Sequence, residues 1–236
     1  MTEIAVMECG KGFEYDPAPQ RSPEWRERRM GRVTASRLED WLSVSRAKAT
    51  LGKPLQKRLD YEKEILFERK FKVAYDNYVS EAMQDGIDYE DFAAKQYEEI
   101  MKKSVYSVGC WFNQYFVASP DKAVDLDGLL EIKVVRDNSF TSIITSGVPQ
   151  KWWKQIQGQL WASGRKWCDF VAINLNTKKV IIIRVLPDPE FHEWLELAVP
   201  EPITIDENLF DIDNMFDFID PAPIPTETNK GSEFDF

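Results

Sequence analysis

Residues Ala118 to Val135 read ASPDKAVDLDGLLEIKVV. Apolar, β-branched runs flank a polar turn at Asp125, Leu126, Asp127 and Gly128, so the spacing predicts a β-hairpin whose second arm is Leu129 to Val135. One arm brings Asp121, and the other brings Glu131 and Lys133. Strand residues two apart share a face, which sets Glu131 beside Lys133 and turns Ile132 into the core. Two carboxylates on one side of a sheet repel, and burial of apolar surface gives no reason to bring them together. A bound divalent cation does. Hard cations take oxygen ligands, and the backbone carbonyl of Ile132, between the two polar side chains, offers a further one. A lysine beside such a metal can orient or deprotonate an attacking water. A surface hairpin carrying a solvated glutamate and lysine is the alternative that these residues alone leave open.

The chain's 236 residues suffice for one substantial domain with a tail, and 43% hydrophobic with 13% aromatic residues can fill a core. No apolar run of about 18 residues occurs, so no membrane association is expected. The N-terminus MTEIAVMECGKGFEYD lacks the basic start and apolar stretch of a signal peptide, and a cytoplasmic location is expected. Cys9, Cys110 and Cys168 are odd in number and widely separated, which argues against a disulfide framework and against a zinc or iron–sulfur site. The one histidine, His192, lies in an acidic, helix-like stretch and reads as solvated, which speaks against Ser–His or Cys–His catalysis.

A net charge of -10 looks wrong for a protein that handles nucleic acid until it is divided along the chain. Arg21 to Arg58 holds eleven Lys and Arg against four Asp and Glu, whereas Pro187 to Phe236 holds fourteen acids against one lysine. The front of the chain is therefore suited to a phosphate-rich partner.

Residues 1–20 read as a loose arm with a Pro-Ala-Pro turn. Next, Ser22 can cap a helix, Pro23 suits its first position and Glu24 suits its positive end. The polar face of that helix holds Arg26, Arg28 and Arg29, and a second helix start follows at Val33-Thr34-Ala35-Ser36. Arginines beside free N–H groups and the hydroxyls of Thr34 and Ser36 make a phosphate pocket; solvated arginines are the plainer reading. Further helices are predicted over Leu55 to Lys72, over Ser80 to Met101, from Val148-Pro149 to Ser163 and over Pro189 to Leu197. Val105 to Val117 reads as a strand and Arg136 to Gly147 as a polar loop over a cleft. Trp167 to Asn174 and Lys179 to Leu186 read as a second hairpin that continues the sheet. Trp152, Trp153 and Trp161 read as core residues rather than base-stacking groups.

The sequence carries an ordered series of motifs. Pro120-Asp121, nine positions, then Glu131-Ile132-Lys133 resembles the PD-(D/E)XK nuclease signature. Trp25-Arg26-Glu27-Arg28-Arg29-Met30-Gly31-Arg32-Val33-Thr34-Ala35-Ser36 resembles the opening motif of the YqaJ-like viral recombinase family, the phage lambda exonuclease type. Asp85-Gly86-Ile87-Asp88-Tyr89-Glu90-Asp91-Phe92-Ala93 is similar to that family's G-x-x-x-E-x-x-A helix, and KWWKQIQGQLWAS to its glutamine helix. The resemblance runs from about Ser22 to Leu197. It implies that Arg29 and Ser36 grip a DNA 5′-phosphate, and that Glu90 is the acidic residue of the helix. It also implies that Gln157, the second glutamine, reaches the active site. A solvated Glu90 and a plain polar helix face for Gln157 are the alternatives. A glutamate on the sheet side of a helix is costly unless a metal or a lysine pairs it.

The fold expected is α/β, a restriction-endonuclease-like core with a mixed central sheet flanked by helices over residues 21–200. An acidic, aromatic tail at 201–236 is expected to be disordered. The metal ligands expected are Glu90, Asp121, Glu131 and the Ile132 carbonyl, holding Mg2+ with Mn2+ as a substitute; Lys133 and Gln157 complete the catalytic set. The resemblance implies a 5′-to-3′ exonuclease acting on the ends of double-stranded DNA for phage-type recombination, in the host cytoplasm if phage-encoded. It also implies a homotrimer and a single-strand annealing or single-strand DNA-binding protein as partner. An endonuclease or repair nuclease of the same core, and a non-catalytic DNA-binding or inhibitory module, are the other readings.

Overall fold

The computed structural model describes residues 9–75, 81–200 and 203, and the side chains of 81–88 lie outside that description. The chain runs β1 (Glu14–Asp16), α1 (Pro23–Arg29), β2 (Val33–Thr34), α2 (Leu38–Trp41), α3 (Gln56–Phe71), α4 (Glu81–Met101), then β3 (Val105–Tyr106), β4 (Cys110–Phe112), β5 (Phe116–Ala118), β6 (Lys122–Val124) and β7 (Gly128–Val135). It continues through α5 (Asp137–Ser146), α6 (Gln150–Ser163), β8 (Trp167–Asn174), β9 (Val180–Val185) and α7 (Pro189–Ala198). Residues 1–8 of the expected arm, and the expected acidic tail apart from Ile203, lie outside the described residues.

The hairpin forms as its sequence predicts. β6 and β7 pair antiparallel, with Lys122 opposite Leu130 and Val124 opposite Gly128. They sit inside a five-stranded mixed sheet in the order β3-β6-β7-β8-β9, in which β7 and β8 run parallel over eight residue pairs. The α5–α6 crossover between them is what a parallel connection requires. Leu130, Ile132, Val124, Val171 and Ile173 pack on one face against Ala93, Ala94 and Tyr97 of α4. Leu129, Phe170 and Ala172 pack on the other with Ile156 and Leu160 of α6. Strand alternation therefore gives Glu131 and Lys133 to the α6 side and Lys122 to the α4 side.

Three expectations are corrected. The stretch Val105 to Val117 is three short strands, because Asn113 turns the chain, its Oδ1 accepting from Tyr115 N at 2.9 Å and Phe116 N at 2.8 Å. β4 and β5 then join β1 and β2 in a four-stranded sheet, β1-β4-β5-β2, beside the expected five-stranded mixed one. Within the arm expected to be loose, residues 9–20 are anchored: Tyr15 pairs with Trp111, Phe13 is buried, and Gln20 Nε2 donates to Pro120 O at 2.7 Å. The polar loop at Arg136 to Gly147 is helix α5. Phe140 and Ile143, three apart, form its buried stripe, and Asn174 and Asn176 donate to Asp137 in its first turn at 2.8 and 3.0 Å.

Helix α1 has the predicted cap, Trp25 N donating to Ser22 Oγ at 3.2 Å. Helix α6 lies unusually close to its neighbours. A Cβ on Gly158 would stand 2.9 Å from Phe116 Cζ and 3.1 Å from Leu38 Cδ2, so only glycine lets this helix seat against β5 and α2. That seat fixes the rotation of α6, and hence which of its glutamines face the sheet.

Candidate active site

Asp121, just before β6, and Glu131, in mid-β7, meet at the end of the hairpin. Asp121 Oδ2 accepts from the backbone N–H of Ile132 at 2.6 Å, which locks the carboxylate to the strand that carries Glu131. In a strand the N–H and C=O of one residue point to the same edge, so the Ile132 carbonyl also faces the Asp121 side. Lys133 Nζ is bonded to Glu131 Oε1, and Glu131 is fully buried. Glu131 and Lys133 share a face, as strand alternation predicts, and with Glu131 buried and Lys133 half-buried the solvated alternative does not describe them. Burial first, then the charge of Glu131, push the Asp121 carboxyl well above the usual carboxylate range. Burial would lower the Lys133 ammonium, but Glu131 and Asp121 outweigh it and hold Lys133 above its ordinary value. Lys133 is therefore charged in this state, a hydrogen-bond donor rather than a proton acceptor.

The glutamine helix contributes, but through different residues from the one expected. Gln155 Nε2 donates to Glu131 Oε1 at 2.6 Å and Gln159 Nε2 to Glu131 Oε2 at 2.7 Å, both buried. Residues four apart share a helix face, whereas Gln157, midway between them, points the opposite way. Gln157 instead donates to Leu186 O at 2.8 Å and accepts from Asp188 N at 2.9 Å, and its Oε1 lies 2.9 Å from His192 Nε2. It ties α6 to the start of α7. His192 is accordingly half-buried and not solvated, and burial lowers its imidazole below the ordinary value. Gln157→Ala is expected to lower the melting temperature with little change in chemistry. Gln159→Ala, which strips a buried carboxylate of a donor, should slow any reaction at Glu131 about tenfold to a hundredfold. Thermal unfolding and rate measurements on the two variants check the division.

Glu90 lines the same cleft as Asp121, and its charge adds to the groups that raise the Asp121 carboxyl. Lys122 Nζ sits 3.1 Å from its Oε1 and Arg21 Nη2 lies 3.1 Å from its Oε2, so of the two partners anticipated for this glutamate the structure supplies the lysine. Lys122 lies on the α4 side because it pairs with Leu130, whose side chain faces α4. A cleft of about 400 Å³ opens here, lined by Gln20, Arg21, Glu90, Asp91, Asp121 and Lys122 among others. Among the described residues, no three Asp, Glu, His or Cys side chains converge as a ready-made metal cage. The donors still suit a hard cation: two carboxylates, one of them raised by burial and by its neighbour's charge, a backbone carbonyl and the amide oxygen of Gln159, a buried atom without a partner. Magnesium is commonly held by one or two carboxylates with water and substrate phosphate supplying the rest.

The arginine pocket lies nearby. Trp25 Nε1 donates to Ser119 Oγ at 2.9 Å, two residues before Asp121, and the Arg29 guanidinium stacks 4.4 Å from the Trp25 ring centre. Arg29 makes no ion pair among the described residues, and burial lowers it from its ordinary value. Ser36 is exposed, and Thr34 Oγ1 bridges it at 3.2 Å to the hydroxyl of Tyr61 at 3.3 Å. Arg26 and Arg28 do not join them. Arg28 pairs with Asp16 at 2.6 Å, and Arg26 lies exposed.

The YqaJ-like viral recombinase domain matches residues 24–166, more than half of the chain. The chain belongs to the YqaJ-like viral recombinase family. Its YqaJ-like region holds Arg29, Ser36, Glu90, Asp121, Glu131, Lys133, Gln155 and Gln159. The fold is similar to that of the alkaline exonuclease LHK-Exo from Laribacter hongkongensis, with 29% identity, a TM-score of 0.65 and coverage of 75% of this chain and 89% of that one. LHK-Exo in complex with dAMP matches at 30% identity and a TM-score of 0.63, with the same coverage. A phage-related exonuclease from Haemophilus somnus 129PT shares the fold at 15% identity and a TM-score of 0.55, over 71% of this chain and 90% of that one. No curated protein matches the chain. No described helix of this YqaJ-like protein is long and apolar enough to cross a membrane.

Proposed function

We propose that this YqaJ-family chain is a divalent-metal-dependent exodeoxyribonuclease that digests one strand of linear double-stranded DNA from its 5′ end, serving phage-type recombination. The triad of Asp121, Glu131 and Lys133 at the end of the hairpin, with Glu131 buried and the other two half-buried, carries the reading. Its two carboxylates and one ammonium are expensive to bury and have no part in the core. The likeness to an alkaline exonuclease supports the same reading.

Asp121, Glu131 and the Ile132 carbonyl would hold the cation, with Mg2+ first and Mn2+ as a substitute. Bound there, the cation supplies Lewis-acid stabilisation of charge on the scissile phosphate. The Lys133 ammonium donates to the attacking water or to a phosphate oxygen and fixes its direction. Gln155 and Gln159 keep Glu131 aimed by holding one donor on each of its oxygens. Arg29 and Ser36, near the Asp121 loop, grip the terminal 5′-phosphate; the basic front of the chain adds salt-sensitive binding to the duplex. Assembly as a trimer and action beside a single-strand annealing protein belong to the same reading.

Duplexes with and without a 5′-phosphate, labelled at either end, test the polarity and the pocket. Wild type should release nucleotides from the 5′ end, faster with the phosphate. Arg29→Ala should lose that preference by about tenfold or more, the worth of one charge-assisted contact. Release from the 3′ end would overturn the assignment.

A further inference from the structure

We propose that Lys122 is a built-in cation that occupies the second half of this cleft, so that the chain takes one divalent ion at Asp121 and excludes another from Glu90. The inference rests on the metal-dependent reading above and deepens it.

Lys122 is the residue next to Asp121, and strand alternation turns its side chain away from Glu131 toward α4. It is 9% exposed, and its Nζ lies 3.1 Å from Glu90 Oε1 and 3.2 Å from Asp91 Oδ1. Asp91 is largely exposed and contributes little, while Glu90 is mostly covered, so the pair that matters is Lys122 with Glu90. Arg21 takes the other Glu90 oxygen at 3.1 Å. Both oxygens of Glu90 therefore face protein cations across the cleft that Asp121 also lines. A carboxylate in that state is a poor ligand, because an incoming dication must displace an ammonium already in contact and bear its repulsion at short range. Without Lys122, Glu90 would keep only Arg21, and its Oε1 would face Asp121 across the cleft with no cation in contact, an arrangement that repels unless a cation joins it.

Counting bound Mn2+ on the full chain by electron paramagnetic resonance, without DNA and at physiological salt, tests the proposal. Asp121→Asn should bind one ion fewer than wild type. Lys122→Ala should bind one ion more, and Lys122→Ala with Glu90→Gln should fall back to the wild-type count. Differences between variants cancel whatever the acidic C-terminal residues bind. Lys122→Met keeps the aliphatic stem while removing the charge, and should behave as Lys122→Ala if the alanine variant unfolds. No gain in Lys122→Ala and Lys122→Met, with the Asp121-dependent ion intact, would overturn the role of Lys122 and leave the metal reading standing. No loss in Asp121→Asn would overturn both.

Discussion

Lys133→Ala is expected to bind duplex DNA within a few-fold of wild type while cleaving it roughly 10²–10⁴ times more slowly, the range that a positioned proton-transfer or water-orienting group supplies. The two effects separate because binding and chemistry draw on different charges. The basic stretch from Arg21 to Arg58 carries eleven Lys and Arg, so one lysine fewer in the cleft barely alters the neutralisation of phosphate. In the chemistry, however, Lys133 is the ammonium bonded to Glu131 and sits beside the Asp121 carboxylate. Its loss leaves the buried Glu131 and the half-buried Asp121 with less positive charge between them, and no donor for the attacking water. Cleavage at the wild-type rate would rule out this role. A gel-shift titration run beside a nucleotide-release assay reads both quantities on one preparation.

Arg58→Ala should lower stability by about 3–5 kcal/mol, the usual result of breaking a buried ion pair by removing one partner. Arg58 Nε donates to Glu62 Oε1 at 2.8 Å one turn along α3, with the Arg58 and Glu62 side chains only 3% and 0% exposed. The guanidinium also donates to Trp41 O at 3.1 Å and lies 4.0 Å from the Trp41 ring centre, while Trp41 Nε1 reaches Ala198 O at 2.8 Å. One side chain thus joins α2 to α3, and through Trp41 to the end of α7. In a chain of this size the melting temperature should fall by roughly 10 °C. Replacing the pair together, Arg58→Met with Glu62→Leu, should recover most of the loss, because no charge is then left buried alone. Denaturant unfolding of the three proteins checks the prediction; a single variant as stable as wild type would contradict it.

Much of this architecture could be read in the residues. The hairpin was legible because turn residues separate two β-branched runs, and the α1 cap because Ser22-Pro23-Glu24 satisfies a helix start locally. What escaped was set by tertiary choice. α5 hides its buried Phe140 and Ile143 among Ser, Thr and Asn, whose side chains look like those of a loop. The second sheet exists because β1, read as part of a loose arm, finds β4 far along the chain, and no local pattern announces that pairing. The glutamines that face Glu131 were legible too. Gln155 and Gln159 are four apart and therefore share a face, a signal as strong as the Ile156–Leu160 spacing that sets the core side of the same helix. The Lys122–Glu90 contact was only half legible: Glu90 needed a partner, but which lysine supplies it depends on how α4 crosses the sheet.

The most direct test of the central claim is nucleotide release from linear duplex DNA, with and without magnesium, beside a covalently closed circle of the same sequence. Magnesium-dependent degradation of the linear form, with the circle intact, is the predicted result, and Asp121→Asn should abolish it. Cutting of the circle would make the protein an endonuclease, and release of nucleotides in the presence of a chelator would contradict the metal-dependent site at Asp121 and Glu131.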